Sequence, residues 1–375
     1  GWRLGDASGI NSYMNLEHPP LVKYLIALVM ALAGDYPTYW RLPSVAAGLA
    51  TVVLTYLFVA EVSGLRWLGV LAAGLLAVDP IMRAMSSVAM LDVYVAMFSV
   101  AAAYAAVKKG PLHGVLVAAL GSTAKFSTLF VLPPLYLAYA RRSAARSGSL
   151  KRFLDDTLFF ISYTLLAFIL LQVAVSIPLI ASMGFGQWFE QCVIGAFQWH
   201  LTTKCVGESC PPASAPWCWF FNINPFPLYY FPTSAVVAQV NSLLWPIALA
   251  VAVVMAPGYA VDRGSRWSLG FLWGVFLSYV ALWVLGNRSQ YSFYAVQLAP
   301  FVYALLATAI PRLMIRRESA LKVLGLWAVA IRGLWATLTK LLLPDYLVRS
   351  LEQPGGSAVP GMRDIGRALE QLLRA

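Results

Sequence analysis

Charged side chains are scarce in this sequence. They make up 11% of the 375 residues, against roughly a quarter in soluble globular domains, whereas hydrophobic residues make up 60%. This composition excludes an ordinary soluble enzyme and predicts an integral membrane protein. The sequence also lacks a Gly-rich phosphate-binding loop and a clear internal repeat, so it indicates neither a nucleotide-binding domain nor a repeat-built transporter.

An initial Met and an N-terminal apolar run are missing too. The chain opens with Gly1-Trp2-Arg3, and no apolar stretch precedes residue 20. No signal peptide is visible in such a start. We therefore expect the natural protein to begin upstream, with a first membrane span before residue 1.

Apolar runs recur along nearly the whole chain, and most are close to the roughly 17–25 residues that cross a bilayer as a helix. Because helices satisfy their own backbone hydrogen bonds in lipid, the sequence predicts an all-α polytopic bundle with about ten spans. The predicted spans are Ser44–Val62, Trp67–Val78, Leu91–Val107, Leu112–Ala124, Phe126–Ala140, Leu158–Ile180, Ala235–Ala256, Leu269–Gly286, Phe293–Ile310 and Leu321–Leu343.

Three regions divide the chain. Residues 1–43 are predicted to form an extracytoplasmic loop and an interfacial half-helix, and residues 44–350 the multi-span domain with a large loop at 181–234. Residues 351–375 read as a flexible joint and an amphipathic tail helix. The 181–234 loop is rich in Trp, Pro, Tyr and Cys.

The net charge of +11 comes from basic residues in short gaps between apolar runs, which is the pattern of the positive-inside rule. Nucleic acid is therefore not a predicted partner. The densest basic gap, from Arg141 to Arg152, is predicted to face the cytoplasm. The turn at Glu17-His18 and the 181–234 loop are then predicted to lie on the extracytoplasmic side. The predicted location of the protein is the cell membrane, or the endoplasmic reticulum membrane if the source is eukaryotic.

All four cysteines lie in the large loop. Their spacing favours one or two disulfides over a zinc site, which usually shows a tight Cys-x-x-Cys pair. The disulfide candidates are Cys192, Cys205, Cys210 and Cys218. No metal-binding constellation is evident, so the predicted mechanism uses no metal and no cofactor.

The stretch Asn15–Lys23 is the most polar and rigid part of the chain before the apolar runs. Pro19 and Pro20 fix φ and allow a helix to begin but not to cross them. Glu17, His18 and Lys23 bring a carboxylate, an imidazole and an ammonium, groups that bind phosphates or sugar hydroxyls. A capped juxtamembrane turn is the alternative reading.

Other unusual side chains fall on the same predicted outer face, on separate loops, and together would build a polar cavity at the level of the lipid headgroups. Each alone is equally typical of an interfacial anchor. Lys125 is costly to place between apolar helices, and a phosphate is its natural partner. These candidates are Arg83, Asp92, Lys125, His200, Trp217, Trp219, Arg288, Tyr291 and Tyr294.

Alternative readings remain for several of them. Asp92 opens a helix, where the dipole favours a carboxylate in any case. Trp217 and Trp219 could stack on a sugar or dip into lipid, and His200 fits a structural role better than a catalytic one.

Through five motifs in the same order, the chain resembles the protein O-mannosyltransferases, a family of membrane glycosyltransferases of the GT-C type. The motifs are His18-Pro19-Pro20-Leu21-Val22-Lys23, Ala89-Met90-Leu91-Asp92, Ala124-Lys125-Phe126-Ser127, Ser214-x-Pro216-Trp217-x-Trp219, and Arg288 with Tyr291 and Tyr294 before Pro300. The resemblance covers most of the chain. It implies a GT-C-type helix bundle.

The resemblance also implies an inverting transfer of a sugar, typically mannose, from a dolichyl (polyprenyl) phosphate to Ser or Thr hydroxyls of secreted or membrane proteins at the outer face. Glu17 and His18 would be catalytic residues that shape the side of the site where the acceptor binds. The implied donor-phosphate residues are Lys125, Arg288, Tyr291, Tyr294 and Arg83, and the acceptor or sugar residues are Asp92, Trp217 and Trp219. Some relatives dimerise.

The sequence departs from the family pattern at two main places and, more mildly, at Val22, where the family has Gly. The family's base is an aspartate in an Asp-Glu pair upstream of the His-Pro-Pro turn, and Asp6 is a poor substitute because it lies too near the turn and lacks the Glu. We expect the base before residue 1. Ser87 replaces a usual Arg, which Arg83 could supply.

Other functions stay open at this point. A glycolipid could replace the protein as acceptor, as in the related aminoarabinose transferases. A lipid or solute transporter is the alternative from another class, and the missing base would also fit an inactive scaffold.

Overall fold

The computed structural model describes residues 15–146, 149–202, 204–205, 210–230, 235–256, 263–286, 289–315 and Val329. The chain divides into two compact units at Ile315, and the elements below lie in the first. The predicted tail helix and the predicted span Leu321–Leu343 fall outside the described elements, so both stay predictions.

Helices dominate this part of the chain, which confirms the predicted all-α class. In chain order they are α1 (Leu21–Ala33), α2 (Pro37–Ser63), α3 (Arg66–Val78), α4 (Pro80–Ser86), α5 (Asp92–Lys108), α6 (Pro111–Ser122), α7 (Leu132–Arg146), α8 (Leu150–Met183), α9 (Phe185–Trp188), α10 (Ala196–Thr202), α11 (Leu244–Val254), α12 (Arg263–Leu285) and α13 (Ala299–Ile315). Short 3₁₀ helices cover Phe126–Val131, Pro216–Phe221 and Ser292–Gln297, and Phe189–Gly195 is a π-helix between α9 and α10.

Proline and glycine set several helix ends. α2, α4 and α6 each begin with a proline, a residue suited to the first helical position because its missing N–H would have no partner there. α2 ends at Gly64, whose φ of 72° places it in the left-handed region that closes many helices.

The core is built around α5, which packs against α2 and α6. Gly114 allows α6 to approach closely, since a Cβ there would lie 2.8 Å from the Ala102 carbonyl oxygen of α5. α13 is buried along most of its length. By contrast α8 leaves many apolar side chains exposed, Leu158 and Leu170 among them, and we assign that face to lipid.

Within the described residues, three helices are long and apolar enough to cross a membrane. They are Pro37–Ser63, Leu150–Met183 and the Arg266–Leu285 part of α12, with α3 and α4 as a bent pair that would make a fourth. The chain is an integral membrane protein. The count of about ten spans is not confirmed, because other predicted spans are helices of 11–17 residues or contain a 3₁₀ segment.

The predicted span Ala235–Ala256 is wrong in its first part. Ala235–Ala238 is strand β2, which pairs antiparallel with β1 (Phe226–Tyr230) in a two-stranded sheet. The helix that follows, α11, starts only at Leu244, where Asn241 Oδ1 accepts from the Leu243 and Leu244 amides. An apolar count cannot separate β-branched strand residues from helix residues over so short a run.

A buried carboxylate fixes the break between α3 and α4, which are bent by 66° at Asp79. Asp79 is fully buried and caps α4 by accepting from the Ile81 amide at 2.8 Å. Its other oxygen accepts from Trp245 Nε1 at 2.9 Å and from the Tyr303 hydroxyl. The bend is thereby tied to α11 and α13.

Candidate functional site

The His-Pro-Pro turn is closed by Lys23 from the first turn of α1. Lys23 Nζ donates to the His18 carbonyl at 2.7 Å and to the Asn15 carbonyl, while Asn15 Nδ2 donates to Glu17 Oε1 at 2.8 Å. Burial lowers the pKa of Lys23 to about 8, against the opposing effect of the Glu17 charge. The ammonium predicted to bind a ligand therefore holds its own turn together.

This turn is joined directly to the loop that carries Lys125. Pro19 and Pro20 have no N–H, so Leu21 is the first residue after His18 with a backbone donor. Its amide donates to the Thr123 carbonyl at 3.1 Å. Two motifs about a hundred residues apart are thus hydrogen-bonded neighbours.

Lys125 itself is paired inside the protein. Its Nζ lies 2.7 Å from Asp92 Oδ1, and the two side chains are only 6% and 4% exposed. Asp92 is the first residue of α5, where the helix dipole favours its negative charge. Lys125 Nζ also lies 4.5 Å from the centre of the Tyr294 ring, within the range of a cation–π contact.

A cavity of about 170 Å³ opens beside this ammonium. Its lining is largely aromatic and apolar, and consists of Lys125, Phe126, Ser127, Leu129, Phe130, Phe197, Leu201, Tyr279, Leu282 and Tyr294. Ser127 is one of the lining residues, and its Oγ is buried without a hydrogen-bond partner among the described residues. The cavity therefore places the Lys125 side chain, already paired with Asp92, at the edge of a largely aromatic and apolar lining.

The first part of the large loop connects both motifs. Phe197 of α10 stacks on Phe126 with ring centres 5.0 Å apart, and Trp199 meets His18 edge-on at 5.4 Å. The π-helix Phe189–Gly195 precedes them, and such segments often occur at functional sites. This part of the loop thus packs against both the His18 turn and the cavity beside Lys125.

Tyr279 and Gln297 were not predicted from the sequence, yet they support the cavity wall. The Tyr279 hydroxyl donates to Gln297 Oε1 at 2.6 Å, and Gln297 Nε2 donates to Ser99 Oγ at 2.9 Å and to the Ser127 carbonyl at 3.0 Å. Tyr279 stacks on Tyr294 at 5.9 Å. A glutamine within an apolar segment was the signal that could have identified this network.

Tyr291 and the two tryptophans have different surroundings from one another. Trp219 is 1% exposed and packs behind Tyr279 and Tyr294 at 5.0 and 6.3 Å, so it supports the cavity wall instead of offering a face to a sugar. Trp217 is 46% exposed and contacts Trp283 at 6.3 Å. Tyr291 packs edge-on against Tyr294 at 6.2 Å.

Arg83 is not brought to this cavity. It is exposed and lines a separate open groove of about 720 Å³ between α2, α4 and β2, which Ser87 also lines. Three other candidates lie outside the described part of the chain: Asp6, Arg288 and the side chain of His200. Their roles stay predictions.

Two of the four cysteines form a disulfide, Cys205–Cys210. Cys192, which is buried, and Cys218 are free thiols. Among the described residues, no group of three or more His, Cys, Asp or Glu side chains is placed to hold a metal ion.

This architecture is the fold of GT-C-type membrane glycosyltransferases. It is similar to the crystal structure of ArnT from Cupriavidus metallidurans bound to undecaprenyl phosphate, with a TM-score of 0.51 and 15% sequence identity over 88% of this chain. The chain spans 56% of that ArnT chain. The apo structure of the same protein gives a TM-score of 0.43 at 16% identity, with the same coverage of both chains.

The match to a protein family lies within the first half of the sequence. Residues 17–177 match the family described as dolichyl-phosphate-mannose-protein mannosyltransferase, a range that includes His18, Asp92 and Lys125. The resemblance predicted from the motifs is therefore confirmed over this range, which is less than half of the chain. Among curated protein sequences none matches this one.

Proposed function

We propose that this protein is a membrane glycosyltransferase that transfers a sugar from a polyprenyl phosphate to a hydroxyl group. The observation that carries the proposal is the junction of two motifs. The Leu21 amide donates to the Thr123 carbonyl, so the His18 turn lies against the loop that holds Lys125 beside a largely aromatic cavity. Both motifs fall within the range that matches the mannosyltransferase family.

Lys125 is proposed to hold the donor phosphate. In the transfer, the hydroxyl oxygen of the acceptor bonds to the anomeric carbon, its proton goes to a carboxylate base, and the bond from that carbon to the phosphate oxygen breaks. Negative charge grows on the leaving phosphate, and a fixed, nearly buried ammonium stabilises it. Ser127 lines the same cavity, and its buried hydroxyl is proposed to donate to a phosphate oxygen. Arg288 is proposed to assist.

The ion pair with Asp92 keeps Lys125 in place before the donor arrives. Without it, an ammonium that is 6% exposed would bear the full cost of desolvation. The aromatic lining of the cavity suits a sugar ring or the first isoprene unit of the donor. We assign Glu17 and His18 to the acceptor side, where Trp199 orients the imidazole by edge contact.

The family match supports mannose as the sugar and Ser or Thr hydroxyls of proteins as acceptors, at the extracytoplasmic face. A second candidate is transfer to a glycolipid; the ArnT structure with a similar fold is bound to undecaprenyl phosphate, a donor lipid that fits either acceptor. The same cavity and the same Lys125 serve both reactions. They differ only in the molecule that brings the hydroxyl.

The test is a transfer assay with the full-length protein in membranes. Radiolabelled mannose on dolichyl phosphate is offered together with a Ser/Thr-rich peptide and, separately, with a glycolipid. We expect label on the peptide, and at least a 100-fold loss in Lys125→Met, in line with removal of one charge-stabilising group. Label on the glycolipid alone would establish the second candidate.

Lys108→Met is the matched control, because Lys108 also pairs with a carboxylate, Glu61 at 3.0 Å, but is 53% exposed. We expect its activity to stay within twofold of the wild type. A folded Lys125→Met protein that transfers as fast as Lys108→Met would refute the role of Lys125. Absence of transfer to either acceptor from any polyprenyl-linked sugar would refute the enzyme.

A further inference from the structure

An open groove of about 720 Å³ lies between α2, α4 and β2, apart from the cavity beside Lys125. Its volume falls within the roughly 300–1,000 Å³ range of ligand pockets. The hairpin side of the groove is formed by Ala235, Val236, Val237 and Gln239. Successive side chains of a strand point to opposite faces, so three consecutive residues line one space only where that space runs along the edge of the strand. The groove therefore borders the backbone edge of β2 that faces away from β1.

The direction of the backbone groups in β2 follows from the contacts of one serine. The Phe226 amide donates to the Ser292 hydroxyl at 2.8 Å, and that hydroxyl donates to the Ala238 carbonyl at 2.7 Å. The paired residues Phe226 and Ala238 thus turn these two groups toward each other across the sheet. Because the direction of the amide and carbonyl groups alternates along an antiparallel strand, those of Val237 face the outer edge, toward the groove.

The outer edges of the two strands differ in their protection. In β1, Pro227 is the partner of Val237 and removes an amide donor from the outer edge, as prolines do on many natural edge strands. β2 consists of Ala235-Val236-Val237-Ala238, without a proline or a charge. Among the described residues, no backbone segment other than β1 hydrogen-bonds to Ala235–Val237. The outer edge of β2 is therefore open to pairing with another strand.

The groove also holds a charged side chain. Arg83 of α4 is exposed, and within the described part of the chain it is the only charged residue that lines the groove. Its guanidinium takes part in no ion pair or hydrogen bond with the residues that the structure describes. An arginine binds a carboxylate through two parallel hydrogen bonds. The groove thus combines an uncovered strand edge with a cation suited to an acidic side chain.

We propose that this groove binds an extended segment of the acceptor protein, which adds to β2 as a third strand and places an acidic side chain against Arg83. The inference rests on the proposed transfer to protein hydroxyls. Backbone hydrogen bonds to a sheet edge bind an extended peptide, and pockets for alternate side chains provide the specificity. A lipid chain would leave the Val237 amide and carbonyl unused.

The hairpin lies next to the candidate site, so a segment held there is near the reacting groups. Phe226 packs edge-on against Phe293 with ring centres 4.9 Å apart, and Lys125 Nζ lies 5.8 Å from the centre of the Phe293 ring. β1 also belongs to the 181–234 loop predicted to lie on the extracytoplasmic side, where a secreted acceptor is present. The groove therefore suits recognition of the acceptor beside the Ser or Thr that is modified.

Fluorescence anisotropy tests the proposal without a donor, with the purified full-length protein and a labelled, non-repetitive Ser/Thr peptide that contains one Asp. Two further peptides carry N-methyl groups on alternate residues, in opposite registers, so that each lacks the amide donors of one edge. We expect one register to weaken binding at least tenfold and the other less than twofold, because only one edge of the peptide pairs with β2. Equal effects of the two registers would overturn strand addition.

Variants of the groove test the same contacts from the side of the protein. Val237→Pro removes the outward amide and should weaken peptide binding at least tenfold, whereas the matched control Val237→Thr keeps the amide and should stay within twofold. A peptide with Lys in place of Asp should bind at least fivefold more weakly to the wild type, and both peptides should bind Arg83→Gln equally. Equal binding by Val237→Thr and a folded Val237→Pro would overturn the proposal. A preference for Asp that persists in Arg83→Gln would overturn the role of Arg83.

The remaining outcomes separate this inference from the proposed function. Competition by phosphatidylglycerol vesicles at equal lipid concentration would assign the groove to lipid and overturn the peptide site. Transfer to the peptide with an unchanged KM in Val237→Pro would overturn the peptide site and keep the enzyme. Register-dependent binding without transfer from any polyprenyl-linked sugar would support the peptide site and refute the enzyme.

Discussion

Helix α5 carries an ion pair at each end. Both pairs join a lysine to a carboxylate, but they differ in how far they are buried. At its first residue Asp92 pairs with Lys125 at 2.7 Å, both nearly buried. At its last residue Lys108 pairs with Glu61 at 3.0 Å, with side chains 53% and 29% exposed. An exposed pair gains little because water already solvates both charges. A buried pair must offset a large desolvation penalty, which is consistent with the proposed use of Lys125 in holding the donor phosphate.

Removing one partner of the buried pair should have the largest effect. Asp92→Ala leaves the Lys125 ammonium buried without its carboxylate, and we expect the free energy of unfolding to fall by about 3–5 kcal/mol. Denaturant unfolding in detergent, followed by circular dichroism, measures this change. A loss under about 1 kcal/mol would mean that Lys125 is solvated or neutral, and the contrast between the two ends of α5 would disappear.

The double variant Asp92→Leu/Lys125→Met sharpens this result, because it removes both charges and leaves apolar side chains of similar size. Replacing a buried pair in this way is often neutral for stability. We therefore expect most of the lost stability to return while transfer activity stays absent. This outcome would separate the structural role of the pair from its role with the donor.

Asp79 provides an intermediate case, since the partners that it has in the structure are neutral donors. Asp79→Ala would leave Trp245 Nε1 and the Tyr303 hydroxyl without their acceptor, and we expect a loss of about 2–3 kcal/mol in the free energy of unfolding. The same denaturant experiment checks it, with Asp79→Asn as the control that keeps an acceptor oxygen. Equal losses in both variants would show that the charge, not the hydrogen bonding, matters at the bend.

The burial of Lys23 can be tested through the pH dependence of stability. Its pKa is about 8 in the folded protein and about 10.4 in an unfolded chain, so between these values the unfolded state binds more protons and stability rises with pH. We expect the difference in Tm between the wild type and Lys23→Met to shift in favour of the wild type from pH 8 to pH 10. A flat difference would show that Lys23 stays fully charged in its turn.

The smallest effect belongs to the exposed pair. Glu61→Ala should lower the Tm only slightly at low salt, and the change should vanish in 0.5 M salt because exposed charges are screened over a few ångströms, roughly 4–5 Å at this ionic strength. Thermal scans at the two salt concentrations measure it. A large, salt-independent loss would mean that the two ends of α5 are equivalent after all.

Much of this arrangement could be predicted from the sequence. Composition predicted a helical membrane protein, and the motifs at His18, Asp92 and Lys125 predicted the family, because the rigid prolines and the costly lysine are visible without a structure. The pairing of Lys125 with Asp92 was not predicted. Each had been assigned separately to a ligand, since nothing in a linear sequence shows that two residues 33 positions apart meet.

Other errors have the same origin. Trp219 reads as an exposed stacking surface until packing places it behind Tyr279. Ala235–Ala238 reads as part of a helix until β1 supplies its partner. Arg83 falls near the outer face in sequence order, but the 66° bend at Asp79 directs α4, and Arg83 lines a different groove. In each case a tertiary contact decided what local pattern left open.

The bond from the Leu21 amide to the Thr123 carbonyl also restricts how this chain can vary in length. One residue inserted into or deleted from α6 would turn the Thr123 carbonyl by about 100° around the helix axis and move it away from α1. Insertions and deletions between Gly110 and Lys125 should therefore be tolerated poorly. The contact between the two motifs therefore depends on the length of α6 as well as on their side chains.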